Sequence, residues 1–216
     1  MTYRVLKNPD SKTLIFFLAG FDGHYKDYMP HFIKLLSVEH NVCISEIKSY
    51  GLCKTSDCIE DFVKTLNTVK NKINPKKIFL VGHSMGAMVE IAACKLKKIK
   101  VDGFYCINAF PSYADCIHIN LPNIDWGPLS FSLKEYKVTE PIMFAIGKRD
   151  EVTYTIFKKN RSLFRKYFLK NPHAKIVYFK DMTHNFNHHL YDFAGFNKSH
   201  SGILINNIFE FINNYS

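Results

Sequence analysis

The sequence predicts an α/β domain: a mainly parallel, doubly wound β-sheet with helices on both faces. Three observations carry that expectation. Short apolar runs of strand character alternate with amphipathic helical stretches along the chain, the order that builds βαβ units. The 216 residues are 47% hydrophobic and 15% aromatic, enough for one sizeable core and unlike a disordered or fibrous polymer. A Gly-x-Ser-x-Gly segment stands between a strand signal and a helix signal, a junction at home in this class of fold.

Taken in order, residues 13–18 form a continuous apolar run ended by Ala19-Gly20, the mark of a buried strand. Residues 28–36 carry helical spacing, with Phe32, Leu35 and Leu36 on one side, and 41–47 alternate as a strand. Ser56-Asp57 can cap a helix running to about Lys72, whose inner face is Ile59, Phe62, Val63, Leu66 and Val69. A strand over 77–81, a helix over 85–96 and a strand over 101–107 follow. From Asn108 to Val138 the rhythm breaks at Pro111, Pro122, Gly127 and Pro128, so 108–138 is expected to be an irregular, lid-like insert. A strand over 141–146, a helix over 155–168, a strand over 175–179 and a closing helix over 202–215 complete the pattern. With no repeat and no low-complexity linker, residues 1–216 read as one domain.

Composition excludes several function classes. The apolar run 14–20 is too short to span a bilayer. It lies between Lys12 and Asp22 without a small-residue cleavage pattern, so neither a membrane span nor a secretory signal is expected, and the expectation is a cytoplasmic protein. Six cysteines (Cys43, Cys53, Cys58, Cys94, Cys106 and Cys116) include no CxxC pair and read as reduced thiols. The net charge is +10, but the lysines run along the whole chain (Lys70, Lys72, Lys76, Lys77; Lys95, Lys97, Lys98, Lys100; Lys158, Lys159). No arm or RNP-type motif gathers them, so no nucleic-acid partner is expected. The plain reading is a solvated surface; a milder one is attraction of an acidic protein or an anionic substrate.

Gly82-His83-Ser84-Met85-Gly86 is the most informative stretch. A strand leads into it and a helix leads out, which lifts Ser84 clear of the sheet at its carboxyl edge. Gly82 and Gly86 remove side chains that would collide on so sharp a turn. The Met85 amide falls at the positive end of the following helix, available to an oxyanion. A serine hydroxyl needs a base, and the base an orienting acid, in the chain order Ser, acid, His. Asp150 stands three residues past Gly147, which ends a late strand, with Glu151 as second choice. His184 follows the last strand, 34 residues on from Asp150. His173, His188, His189 and His200 are further imidazoles, but no carboxylate or cysteine completes a set with His184, His188 and His189 at metal spacing, so neither metal nor other cofactor is expected. The loop Gly20-Phe21-Asp22-Gly23 follows an early strand, and the Phe21 amide is the candidate second oxyanion donor.

These residues resemble those of the α/β-hydrolase fold, and their pairing is more specific still. Phe16-x-x-Ala19-Gly20, Gly82-His83-Ser84-Met85-Gly86-Ala87, Gly147-x-x-Asp150 and His184-x-Phe186 together resemble the stand-alone, type II thioesterases of polyketide and nonribosomal peptide assembly. The resemblance implies hydrolysis of acyl thioesters held on acidic carrier proteins. Two departures stand out: the insert is shorter than the usual helical lid, and Phe21 replaces a small residue. Phe110, Tyr113, Trp126, Phe131 and Tyr136 of the insert can line an acyl pocket or pack the insert itself. The expectation is therefore a serine hydrolase that cleaves an acyl thioester or carboxylic ester through Ser84, His184 and Asp150. Alternatives are an acyltransferase using the same acyl-enzyme, a small-molecule carboxylesterase, and a binding module on a retired hydrolase scaffold.

Overall fold

Strand β2 (Thr13–Phe21) shows how this chain builds its core. Its residues 14–20 are all buried, and alternate ones serve different faces. Leu14, Phe16 and Leu18 join one apolar cluster, while Ile15, Phe17 and Ala19 join the other, as the period of two requires. A strand buried on both faces must lie between two helical layers.

The computed structural model describes residues 1–21, 23, 32–47, 53–97, 99–110, 124–125, 127–129, 138–184 and 198–216. In chain order the other elements are β1 (Thr2–Leu6), a short helical turn α1 (Lys34–Leu36), β3 (Asn41–Ile47), β4 (Cys53–Lys54), α2 (Thr55–Ile73), β5 (Lys77–His83), α3 (Met85–Lys97) and β6 (Gly103–Ile107). They continue with β7 (Ile124–Asp125), a single turn at Gly127–Leu129, β8 (Ile142–Gly147), α4 (Thr153–Lys159), α5 (Arg161–Lys170), β9 (Ala174–Phe179) and α6 (Lys198–Tyr215). The seven-stranded sheet runs β1-β3-β2-β5-β6-β8-β9. Only the β1–β3 pair is antiparallel. Phe62, Leu66 and Val69 of α2, Met88 and Ala92 of α3, Phe157 of α4 and Phe164 of α5 cover one face. Ile208, Phe211 and Ile212 of α6, with Phe32 and Leu36, cover the other. The α/β-hydrolase fold expected from the sequence is the fold observed.

The structure differs from expectation in three places. The half-exposed strand β1 has no buried run to announce it, and it is held by antiparallel pairing to β3. The helix expected over 155–168 is two helices broken at Asn160 (φ −102°, ψ 21°). The Asn160 Nδ2 donates to the Ile156 carbonyl at 3.1 Å, sharing that acceptor with the Asn160 backbone amide at 2.9 Å. Two residues of the insert, Ile124 and Asp125, pair outside it, since β7 lies parallel to β4 and Thr55 Oγ1 donates to the Asp125 carbonyl at 2.6 Å. Leu129 beyond them is fully buried. No helix among the described residues is long and apolar enough to cross a membrane.

Candidate active site

The parallel strands β2, β5, β6, β8 and β9 all end at one edge of the sheet, so the loops that follow them meet there. Ser84, between β5 and α3, has φ 50°, a left-handed conformation that costs a β-carbon residue about 1–2 kcal/mol. Its amide donates to the Ile107 carbonyl at 2.9 Å, which ties the turn to the end of β6. The flanking glycines are sterically required. A Cβ on Gly82 would strike the backbone of Ala87, and one on Gly86 would strike the carbonyls of Leu18 and Ala19.

The other two loops bring Asp150 and His184 to Ser84. His184 Nε2 lies 3.1 Å from Ser84 Oγ, and His184 Nδ1 lies 2.9 Å from Asp150 Oδ2. The carboxylate accepts a hydrogen bond from Nδ1–H, which fixes the proton on Nδ1 and leaves Nε2 as an acceptor facing the serine hydroxyl. The Asp150 side chain is fully buried, whereas the His184 ring is 27% exposed, so the imidazole lies nearer the solvent than its carboxylate partner. Asp150 Oδ1 accepts the amides of Val152 (2.9 Å) and Thr153 (2.8 Å) at the start of α4. Burial pushes the Asp150 carboxyl up, but His184 and the Thr153 amide and hydroxyl outweigh it and hold the carboxyl below its ordinary value. Glu151, the rival acid, is exposed.

Three further side chains complete the arrangement, and sequence reasoning assigned none of them a part. Asn108, fully buried at the end of β6 with φ 45°, donates from Nδ2 to the carbonyls of Thr183 (2.7 Å) and His184 (2.9 Å). Its Oδ1 accepts the Gly147 amide at 2.8 Å, and its carbonyl accepts Thr153 Oγ1 at 3.0 Å. His83 donates from Nε2 to the His184 carbonyl at 2.8 Å. Burial, reinforced by neighbouring His184, pushes the His83 imidazole down to about 3, so it stays neutral and keeps that donor. The available signal was position: Asn108 stands where a strand meets the carboxyl edge, and Asn tolerates a positive φ.

The other expected site residues fall as follows. A Cβ placed on Gly20 would lie 3.3 Å from Ser84 Cβ, so the backbone of this loop runs beside the serine. The register of β2 on β3 shifts between Leu18 and Phe21, an irregularity of the kind that re-aims a strand end. Phe21 is therefore the half-buried residue just past the close approach, and Met85 opens α3 directly after Ser84. Phe110 is 6% exposed and belongs to the same apolar cluster as Met85, Leu129 and Val138. Tyr113, Trp126, Phe131 and Tyr136 lie outside the described residues, as do His188 and His189. Among the described residues no group of three His, Cys, Asp or Glu is placed to hold a metal ion.

Comparison with known proteins adds the family. A family model described as the alpha/beta hydrolase fold matches residues 13–142. No curated protein matches the chain significantly. Among solved structures, Est1E from Butyrivibrio proteoclasticus superposes with a TM-score of 0.72 at 16% identity, covering 98% of this chain and 94% of that one. MenH from S. aureus gives 0.64 at 14% identity over 99% and 98% of the two chains. The Paleococcus ferrophilus monoacylglycerol lipase gives 0.63 at 16% over 95% and 98%. At such identities the likeness is one of fold. With the family match spanning more than half of its length, this chain belongs to the alpha/beta hydrolase fold family.

Proposed function

We propose that the chain is a serine hydrolase that cleaves a carboxylic ester or acyl thioester through an acyl-enzyme on Ser84. The observation that carries this reading is the relay from Ser84 Oγ through His184 to Asp150, at 3.1 and 2.9 Å, on an elbow whose serine has a positive φ. His184 Nε2 takes the hydroxyl proton as Ser84 Oγ attacks the acyl carbonyl carbon. The amides of Met85 and Phe21 hold the resulting oxyanion. The intermediate collapses as His184 returns the proton to the leaving alcohol or thiol. Water then attacks the acyl-enzyme with the same base, releasing a carboxylic acid and restoring Ser84. Asp150 keeps the imidazole in the required tautomer and stabilises its cation. Phe110, Tyr113, Trp126 and Phe131 are assigned to the acyl side of the substrate, and the thioester branch of the reading rests on the type II thioesterase resemblance.

The test is a fluorophosphonate label with mass mapping, followed by a panel of p-nitrophenyl esters and acyl thioesters. Ser84 is expected to carry the label, and Ser84→Ala to lose both labelling and turnover, leaving no more than the roughly 10³–10⁴-fold that binding and an oxyanion hole supply over water. Asp150→Asn should keep the fold and cut kcat by about 10⁴, while Glu151→Gln leaves it near wild type. A label on another serine, or damage from Glu151→Gln rather than Asp150→Asn, overturns the assignment.

A further inference from the structure

The positive charge of this protein is concentrated, although its lysines alone look evenly spread. Residues 148–180 hold ten of the 29 lysines and arginines but two of the 19 aspartates and glutamates. That is a net +8 within 33 residues, against +10 for the whole chain, and the rest of the molecule is nearly neutral. In the fold these residues are the turn after β8, helices α4 and α5, and strand β9 at the end of the sheet. Lys148, Arg149, Lys158, Lys159, Arg161, Arg165, Lys170, Lys175 and Lys180 are all exposed. One of the two acids, Asp150, is buried against His184 and does not offset them at the surface. One end of the molecule is thus a basic pole.

A groove of about 890 Å³ opens on this pole between α5 and β9, within the roughly 300–1,000 Å³ of small-molecule sites. Its floor is apolar: Phe157 and Phe164 stack at 4.2 Å between ring centres, with Ile176 beside them. Tyr178, 47% exposed, forms one wall, held edge-on by Tyr154 at 6.1 Å. Arg161 and Arg165, one helical turn apart on α5, stand on the rim. No carboxylate is among the described residues that line it. An apolar trough bordered by two guanidinium groups recognises a molecule with a hydrocarbon body and an anionic, planar head, because arginine forks onto a carboxylate through paired hydrogen bonds. A neutral apolar ligand would leave both arginines unused, and a small inorganic anion would leave the aromatic floor unused.

We infer that the groove between α5 and β9 is a second binding site, separate from the Ser84 cleft, for an amphiphilic carboxylate, with Arg161 and Arg165 on the head and Phe157, Phe164, Ile176 and Tyr178 on the chain. The class is also chemically apt, since ester or thioester hydrolysis releases a carboxylate at neutral pH. That link rests on the proposed function, whereas the groove does not. No groove residue belongs to the Ser84 relay, so both sites can be filled at once.

The test titrates decanoate into the full chain by calorimetry, before and after fluorophosphonate treatment. Saturable binding is expected to survive the treatment, to be at least about tenfold weaker for decanol, and to weaken about two- to fourfold for each methylene removed. Arg161→Gln with Arg165→Gln should weaken decanoate at least about tenfold and leave decanol unchanged. Both arginines are exposed, and turnover of p-nitrophenyl acetate by the double variant should match wild type, which also shows that it folds. Unchanged decanoate affinity in the double variant overturns the proposal. So does complete loss of binding after labelling of Ser84, which would place the carboxylate in the catalytic cleft. Arginine-dependent binding to phosphatidylserine vesicles with no binding of free decanoate would make the pole a membrane contact and overturn it as well. If no label reaches Ser84 the hydrolase reading falls, and the titration still reads the groove.

Discussion

The Asn108 amide bonds with both of its ends, and in doing so it joins loops that the chain keeps far apart. Its Nδ2 meets Thr183 and His184, 75 and 76 residues away, and its Oδ1 meets Gly147, 39 residues away. Under the proposed mechanism the base and acid loops are thus set against each other by one buried side chain. Asn108→Ala would remove the acceptor of the Gly147 amide and one donor each from the Thr183 and His184 carbonyls, the latter still held by His83, at about 1–3 kcal/mol for a buried group left unpaired. The expected outcome is a kcat lowered about 10–100-fold with KM little changed, because His184 loses its placement while the substrate pocket remains. A drop in Tm with kcat intact would show that Asn108 serves the fold alone. His83 works on the same carbonyl of His184 from the end of β5, so the base is held through its backbone as well as through Asp150.

At the scale of elements, α3 follows the Ser84 turn and also carries a burden. Glu90, on its inner face, is 1% exposed, and its Oε1 has no hydrogen-bond partner. Burial raises its pKa well above the ordinary 4.5. Between 4.5 and the raised value the folded chain holds a proton that the unfolded chain has released, so unfolding becomes easier as pH rises through that window. His83 acts in the opposite sense: between about 3 and 6.5 the unfolded chain takes a proton that the fold refuses, so stability rises with pH there. Glu90→Gln removes only the first effect. The Tm difference, variant minus wild type, should grow between pH 5 and pH 7.5 by at least about 2–4 °C, the shift that 1 kcal/mol makes in a chain of this size. A difference that stays constant across that range would mean Glu90 does not titrate differently in the fold. The split of α4 from α5 at Asn160 belongs to this scale too. The apolar spacing over 155–168 continues through the break, which is marked by the backbone angles of Asn160 and its side-chain bond to Ile156.

Across the whole molecule, charge is the property with the longest reach. An acidic carrier bearing an acyl thioester would be drawn to a chain of +10, and that attraction is screened over a Debye length of about 10 Å at 0.1 M salt. We expect kcat/KM for a carrier-bound thioester to fall as salt is added, while a small neutral ester in the same buffer changes little. An equal response from both substrates would reduce the charge to solvation and favour a small-molecule esterase. Neutralising Arg161 and Arg165 removes two of the eight net charges of the basic pole, so the carrier's salt dependence should soften in that variant without vanishing.

By itself the sequence determined most of the alternation of strands and helices, the double burial of the central strands, and the sharp turn at Ser84. Each of these is written in neighbouring residues: unbroken apolar runs, a helical repeat, and glycines where a side chain would strike backbone. It also offered Asp150 and His184 as the candidate acid and base, because the expected order of serine, acid and base follows the order of strands. Tertiary structure decided the rest. Ser84 and His184 are 100 residues apart and meet only because parallel strands end at one edge of the sheet. The pairing of β1 with β3 and the reach of Asn108 likewise depend on contacts between distant segments. No local pattern encodes such contacts, since their residues become neighbours only when the sheet has formed and its loops have packed against one another.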